Sequence, residues 1–135
     1  MKKLVTLLLT ALLVLTLAGC GRVSTTMAIT CDTSQIYSPE DIYQAMDVVE
    51  KYFCRQFDGC TLTEIGYIGD EKWALMEEYA ANYGVDQAIV LTSAFDTGRR
   101  GGDGSLNAND TYRNWKWILI RDIGGDWSHA DHGYG

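Results

Sequence analysis

The chain reads as an α+β domain in which a long N-terminal helix packs on a curved, mostly antiparallel sheet, in the order α-β-α-β-β-β. Three observations predict this. One apolar face recurs at helical spacing through Ile42, Ala45, Met46, Val49, Tyr52, Phe53 and Phe57. Three strand-like segments close the chain, over 88–95, 111–121 and 126–134. The last two are joined only by Asp122-Ile123-Gly124-Gly125, a connection too short for anything but a hairpin.

Each element carries its own signals. Ser38-Pro39-Glu40-Asp41 opens the first helix with an N-cap serine, proline at the first helical position and acids in the first turn. Asp58-Gly59 stops it. Thr61 to Ile68 reads as a strand from its Thr, Ile and Tyr content. Asp70 is the expected cap of a second helix, whose Trp73, Met76, Ala80 and Tyr83 share a face and which Gly84 ends. Ala88 to Phe95 is a largely apolar strand. A polar loop over 96–110 leads to Thr111–Arg121, and Asp126 to Tyr134 returns. Alternation within one strand puts Trp115 and Trp117 on the same face, either in the core or at the mouth of a pocket.

The amino terminus has a different character. Lys2 and Lys3 precede an apolar run from Leu4 to Ala18, about 15 residues against the roughly 20 that a helix needs to span a bilayer. A basic start, a short apolar stretch and small residues before a cut site describe an export signal. Leu17-Ala18-Gly19-Cys20 resembles the lipobox of bacterial lipoproteins. That resemblance implies cleavage after residue 19, acylation of Cys20 with palmitate-type chains, and a membrane-anchored protein on the extracytoplasmic face. Residues 20–37, rich in Ser and Thr, are expected to form a lipidated flexible tether, with a single domain over 38–135.

Removing residues 1–19 takes away Lys2 and Lys3 and no acid, so the formal charge moves from −7 to −9. So acidic a domain repels phosphate backbones, which argues against nucleic acid as a partner and against direct adhesion to anionic lipid, leaving the anchoring to the acyl chains. Beyond Cys20 lie Cys31, Cys54 and Cys60. A Cys54–Cys60 bridge, a bridge using Cys31, and three reduced thiols are all open outside the cytoplasm.

The ending NWKWILIRDIGGDWSHADHGY, after a capped amphipathic helix, resembles the nuclear transport factor 2-like (cystatin-like) superfamily. More narrowly it is similar to small uncharacterised lipoproteins of that kind in Gram-positive bacteria. The resemblance implies a cystatin-like roll with a cone that opens at one end. It assigns no catalytic residue, since the superfamily holds hydrolases, isomerases and non-catalytic binding modules alike.

His129, Asp131 and His132 are the candidate acid/base residues, because a carboxylate beside an imidazole fixes its tautomer and raises its basicity. In a regular strand Trp127, His129 and Asp131 share one face and Ser128, Ala130 and His132 the other. The two histidines then meet only if a bulge intervenes or the strand ends before His132. Asp103, Asn107 and His129 are the candidate metal ligands. Oxygens alternate along GGDGSLNAND, but an EF-hand read from Asp103 has Ala108 and Asn114 where it needs Gly and Glu. Trp115 and Trp117 offer flat apolar surface to a ligand, and Arg99 and Arg100 are the domain's adjacent basic pair.

The expected function is a lipid-anchored, non-catalytic binding or interaction module of the cell envelope, taking an envelope protein or a small ligand, with no cofactor. Its alternatives are a small hydrolase or isomerase with a His/Asp site in the cone, and a divalent-metal-binding lipoprotein. Rolls of this kind also dimerise through an exposed sheet face, so a homodimer is a further expectation.

Overall fold

The computed structural model describes residues 20–31 and 33–134, and the signal segment over 1–19 lies outside them. Five strands form one mostly antiparallel sheet in the sequential order β1-β2-β3-β4-β5. They are β1 (Arg22–Thr30), β2 (Thr61–Tyr67), β3 (Gln87–Asp96), β4 (Thr111–Arg121) and β5 (Ser128–Gly133). Helix α1 (Pro39–Gln56) connects β1 to β2, and α2 (Trp73–Tyr83) connects β2 to β3. The first described element is therefore a strand, and among the described residues the order is β-α-β-α-β-β-β rather than the expected α-β-α-β-β-β. Among the described residues no helix is long and apolar enough to cross a membrane.

Strand β1 occupies the segment expected to be a flexible tether. It pairs parallel to β2, skipping from Val23↔Leu62 to Ala28↔Glu64 along the ladder. None of its residues is fully buried, and only Val23 and Met27 pack against the core, so its ladder bonds carry much of its attachment. Two further bonds start it: Gly21 N donates to Cys54 O at 3.1 Å and Arg22 N to Cys60 O at 3.0 Å. Gly21 is buried where a Cβ would collide with the carbonyls of Phe53 and Phe57, so only glycine lets the chain pass this close to the end of α1.

Helix α1 starts as its sequence requires. Ser38 Oγ accepts from Asp41 N at 3.1 Å, Pro39 fills the first position, and Ile42, Ala45, Met46, Val49 and Phe53 are buried. This face packs on the side of the sheet that carries Phe95 and Trp117. Phe53 stacks on Phe57 at 4.7 Å, and both meet Phe95 and Trp117 edge-on or tilted. Trp117 is fully buried, and its Nε1–H donates to the buried Ser93 Oγ at 2.8 Å.

At the opposite end, Arg121 ties three elements together. Its Nη1 donates to Asp41 Oδ1 at 2.9 Å, its Nε donates to Gln87 Oε1 at 2.8 Å, and its guanidinium lies 4.0 Å from the Trp127 ring centre. Trp127 Nε1 in turn donates to Asp41 O at 3.0 Å. The hydrogen bond from Arg121 holds the Asp41 carboxyl below the usual carboxylate range. The β4–β5 hairpin is thereby stapled to the start of α1.

The second helix departs from expectation at its start. Asp70 opens a 3₁₀ turn, Asp70–Lys72, and caps nothing. Its carboxylate instead accepts from Ser34 Oγ at 2.6 Å, Gln35 N at 2.7 Å and Tyr67 Oη at 2.8 Å. Asp70 thus fastens the segment leading into α1. Gly84 ends α2 in the left-handed conformation, at φ 66°. Tyr79 and Tyr83 lie beside Lys116 and Ile118, on the face of the sheet opposite Trp117.

Candidate functional site

The two histidines come together. His129 Nε2 and His132 Nδ1 are 3.0 Å apart, within hydrogen-bonding distance. The expectation that they lie on opposite faces is overturned by the β4–β5 register, which passes from Ile118↔Asp131 to Leu119↔His129 and leaves Ala130 unmatched. That extra residue is a β-bulge, and it turns an odd spacing into a shared face. His129 stacks on Tyr52 at 3.9 Å, and His132 lies against Phe57, Trp115 and Trp117.

The same bulge separates Asp131 from both rings. Its carboxylate accepts from His132 N at 2.8 Å, and the residue lines the reverse face with Lys116 and Tyr79. The expected His129–Asp131 acid/base pair is therefore not formed. A dyad of two imidazoles packed among aromatic rings takes its place.

Burial pushes the pKa of both histidines below the ordinary value; for His129 the neighbouring His132 adds to this, and Asp131 opposes it for both. The dyad is thus neutral at pH 7, with one ring donating and the other accepting. Each ring binds its proton less readily in the folded chain than in the unfolded one. Between the ordinary value near 6.5 and the depressed folded values, the unfolded chain holds more protons, so stability rises with pH. The stabilisation is complete above about pH 7 and is lost as pH falls through the folded values. Urea unfolding between pH 7 and pH 5 is expected to show this slope. The His129→Gln/His132→Asn variant should flatten it, and an unchanged slope would remove the dyad as its origin.

Beside the dyad lies a cleft of about 290 Å³. Tyr52, Gln56 and Phe57 of α1 form one wall, Trp115 and His132 the floor, and Gly102, Asp103, Ser105 and Leu106 the other wall. The loop that supplies this wall is folded on itself. Thr97 Oγ1 donates to Asn107 O at 2.6 Å and accepts from Asp110 N at 2.8 Å, and Leu106 N donates to Gly101 O at 3.1 Å. Trp115 and Trp117 do share a face, but they divide the two expected roles: Trp117 is core and Trp115 lines the cleft. Trp115 Nε1 is buried without a hydrogen-bond acceptor among the described residues. An unmet buried donor of that kind costs roughly 1–3 kcal/mol.

The remaining candidates do not assemble. Asp103 shares the cleft with His132 and not with His129, and its carboxylate accepts from Ser105 N at 3.0 Å. Asn107 Nδ2 donates to Asp110 Oδ2 at 3.1 Å, so the loop's oxygens close its own turns. Among the described residues no three His, Cys, Asp or Glu side chains are placed to hold a metal ion. Arg99 and Arg100 are exposed at the start of the loop, outside the cleft.

Cys54 and Cys60 are not bridged in this structure. Cys60 is buried under the loop, its Sγ donating to Asp58 O at 3.6 Å, whereas Cys54 is partly exposed on α1. Burial raises both pKa values, against which the Gly98 and Gly102 amides partly stabilise the Cys60 thiolate. Sequence reasoning missed Tyr52, Gln56, Phe57, Ser105 and Leu106 as cleft residues. Only the bulge and the loop's fold bring them to Trp115. Compared with protein-family models, with curated proteins and with solved structures, the chain matches none of them.

Proposed function

We propose that the protein is a lipid-anchored, extracytoplasmic binding module that holds a flat, neutral group of one or two rings in the cleft between α1 and the 97–110 loop. The observation that carries this reading is the cleft itself, where the rings of Tyr52, Phe57 and Trp115 converge beside His132. At about 290 Å³ the cleft is at the small end of ligand pockets, which run roughly 300–1,000 Å³. Tyr52, Phe57 and Trp115 supply ring faces, and Asp103, Ser105 and Gln56 supply polar groups at the rim. The Asp131 carboxylate accepts from the backbone His132 N and bonds neither imidazole, which favours binding over acid/base catalysis. The resemblance to cystatin-like rolls supports the same reading in its coarse features, a long helix across a mostly antiparallel sheet with an opening at one end. The leading parallel strand is an addition to that pattern.

Benzamide is a suitable probe, because its ring stacks on aromatic side chains and its amide donates to a carboxylate such as that of Asp103. Chemical-shift titration is expected to move the Trp115 indole N–H signal, and Trp115→Ala should weaken binding at least tenfold. Shifts confined to residues outside the cleft would overturn the reading.

A further inference from the structure

The described chain begins its fold almost at the lipobox cysteine. Gly21 is already bonded to α1 and Arg22 to the turn before β2, so a lipid on Cys20 would leave no slack between membrane and domain. One end of the sheet is thereby fixed next to the anchor. The register Arg22↔Thr61, Thr61↔Asp96 and Asp96↔Thr111 shows which other segments share that end. They are the last turn of α1 with the 57–60 turn, the 97–110 loop, and the start of β4. The turn and the loop touch directly, since a Cβ on Gly98 would stand 2.9 Å from Gly59 O.

Charge is divided along this axis. Arg22, Arg55, Arg99, Arg100 and Arg113, five of the nine cationic residues in 20–135, stand at the Cys20 end and are all exposed. Four acids accompany them, Asp58, Asp96, Asp103 and Asp110. The opposite end carries Glu40, Asp41, Asp70, Glu71, Asp86, Asp122 and Asp126 against only Lys72 and Arg121. The net charge of −9 therefore conceals a dipole whose less acidic, arginine-bearing end is the one next to the anchor.

We propose that the mature domain docks flush on the membrane through this arginine end, with Arg22, Arg55, Arg99 and Arg100 contacting the phosphates of anionic phospholipid headgroups. The proposal rests on the reading of Cys20 as the acylated residue. A cation near an anionic membrane surface is attracted over about one Debye length, and arginine pairs with phosphate through its planar fork. The acidic end then points away from the membrane and avoids its repulsion. The loop carrying Arg99 and Arg100 is also a wall of the cleft, so the cleft opens close to the headgroups.

The test uses the full chain, expressed with its signal segment and reconstituted into vesicles of phosphatidylcholine alone or with phosphatidylglycerol. Mass spectrometry of the N-terminal peptide reads acylation at Cys20, and amide hydrogen exchange reads protection of the 97–110 loop. Docking predicts an acylated Cys20 and slower loop exchange on phosphatidylglycerol vesicles only, reversed by 1 M salt. In Arg99→Gln/Arg100→Gln, each neutralised cation should lower the docking equilibrium about fivefold. Both side chains are exposed, so this variant retains the fold. Acylated protein whose loop exchanges equally on both vesicles would overturn docking and leave the anchor standing. An unacylated Cys20 would overturn both.

Discussion

Trp117→Ala is expected to lower the unfolding free energy by about 3–5 kcal/mol, in the range for truncating a buried large aromatic side chain. In a domain of this size that is a fall in Tm of roughly 10–20 °C. Three losses combine. Trp117 has no exposed surface, and it contacts Tyr52, Phe53 and Phe57 of α1 as well as both histidines. Its removal also leaves Ser93 Oγ, itself 3 % exposed, without its donor. The rings that held the dyad then have a void to relax into, so the pH slope should weaken together with stability. Trp117→Phe keeps most of the apolar volume and should cost less than half as much. Urea unfolding of the three proteins decides the matter, and a loss below 1 kcal/mol for the alanine variant would remove Trp117 from the centre of the core.

Gly101→Ala is expected to cost about 2–5 kcal/mol and to abolish benzamide binding. Gly101 adopts φ +61°, a conformation that costs a residue with a Cβ about 1–2 kcal/mol. A Cβ there would also overlap Leu106 O, the backbone of the loop segment that walls the cleft. Either Leu106 moves or the loop opens, with overpacking adding about 1–3 kcal/mol. Gly104→Ala separates the two effects. Gly104 also has positive φ, 102°, but a Cβ there meets nothing within 4 Å, so only the conformational cost remains and binding should survive. If the two variants behave alike, the packing of Gly101 against Leu106 has no bearing on the cleft.

Helix α1 was legible because its information is local. Ser38, Pro39 and the spacing of Ile42, Met46, Val49 and Phe53 each specify helix without reference to any distant residue. Strand β4 was legible for a similar reason, its boundaries Thr111–Arg121 coinciding with a run of β-favouring residues between turn signals. Asp70 was misread because a helix-capping residue type was followed by an apolar periodicity, while its actual partners, Ser34 and Gln35, lie 36 and 35 residues away. Strand β1 was missed because none of its residues is fully buried, and only Val23 and Met27 pack against the core. Hydrophobic periodicity reports a buried face, and an edge strand held largely by its ladder bonds has little of one to report.

The site divides in the same way. That the chain would carry two amphipathic helices and a closing hairpin, and that Trp115 and Trp117 would face together, followed from residue types and their spacing. Whether His129 and His132 would meet did not, because a single unmatched residue, Ala130, reverses the facing of everything beyond it. Where a bulge falls depends on how β5 fits both β4 and the rings of Tyr52, Phe57 and Trp115. The cleft depends likewise on Gly101 and Thr97 folding a 14-residue loop (97–110) back toward α1. Periodicity and capping act over one or two turns of chain, so the sequence by itself determined the elements. Register and loop closure are decided by contacts between residues far apart in sequence, and only the tertiary structure brought the dyad and the cleft into being.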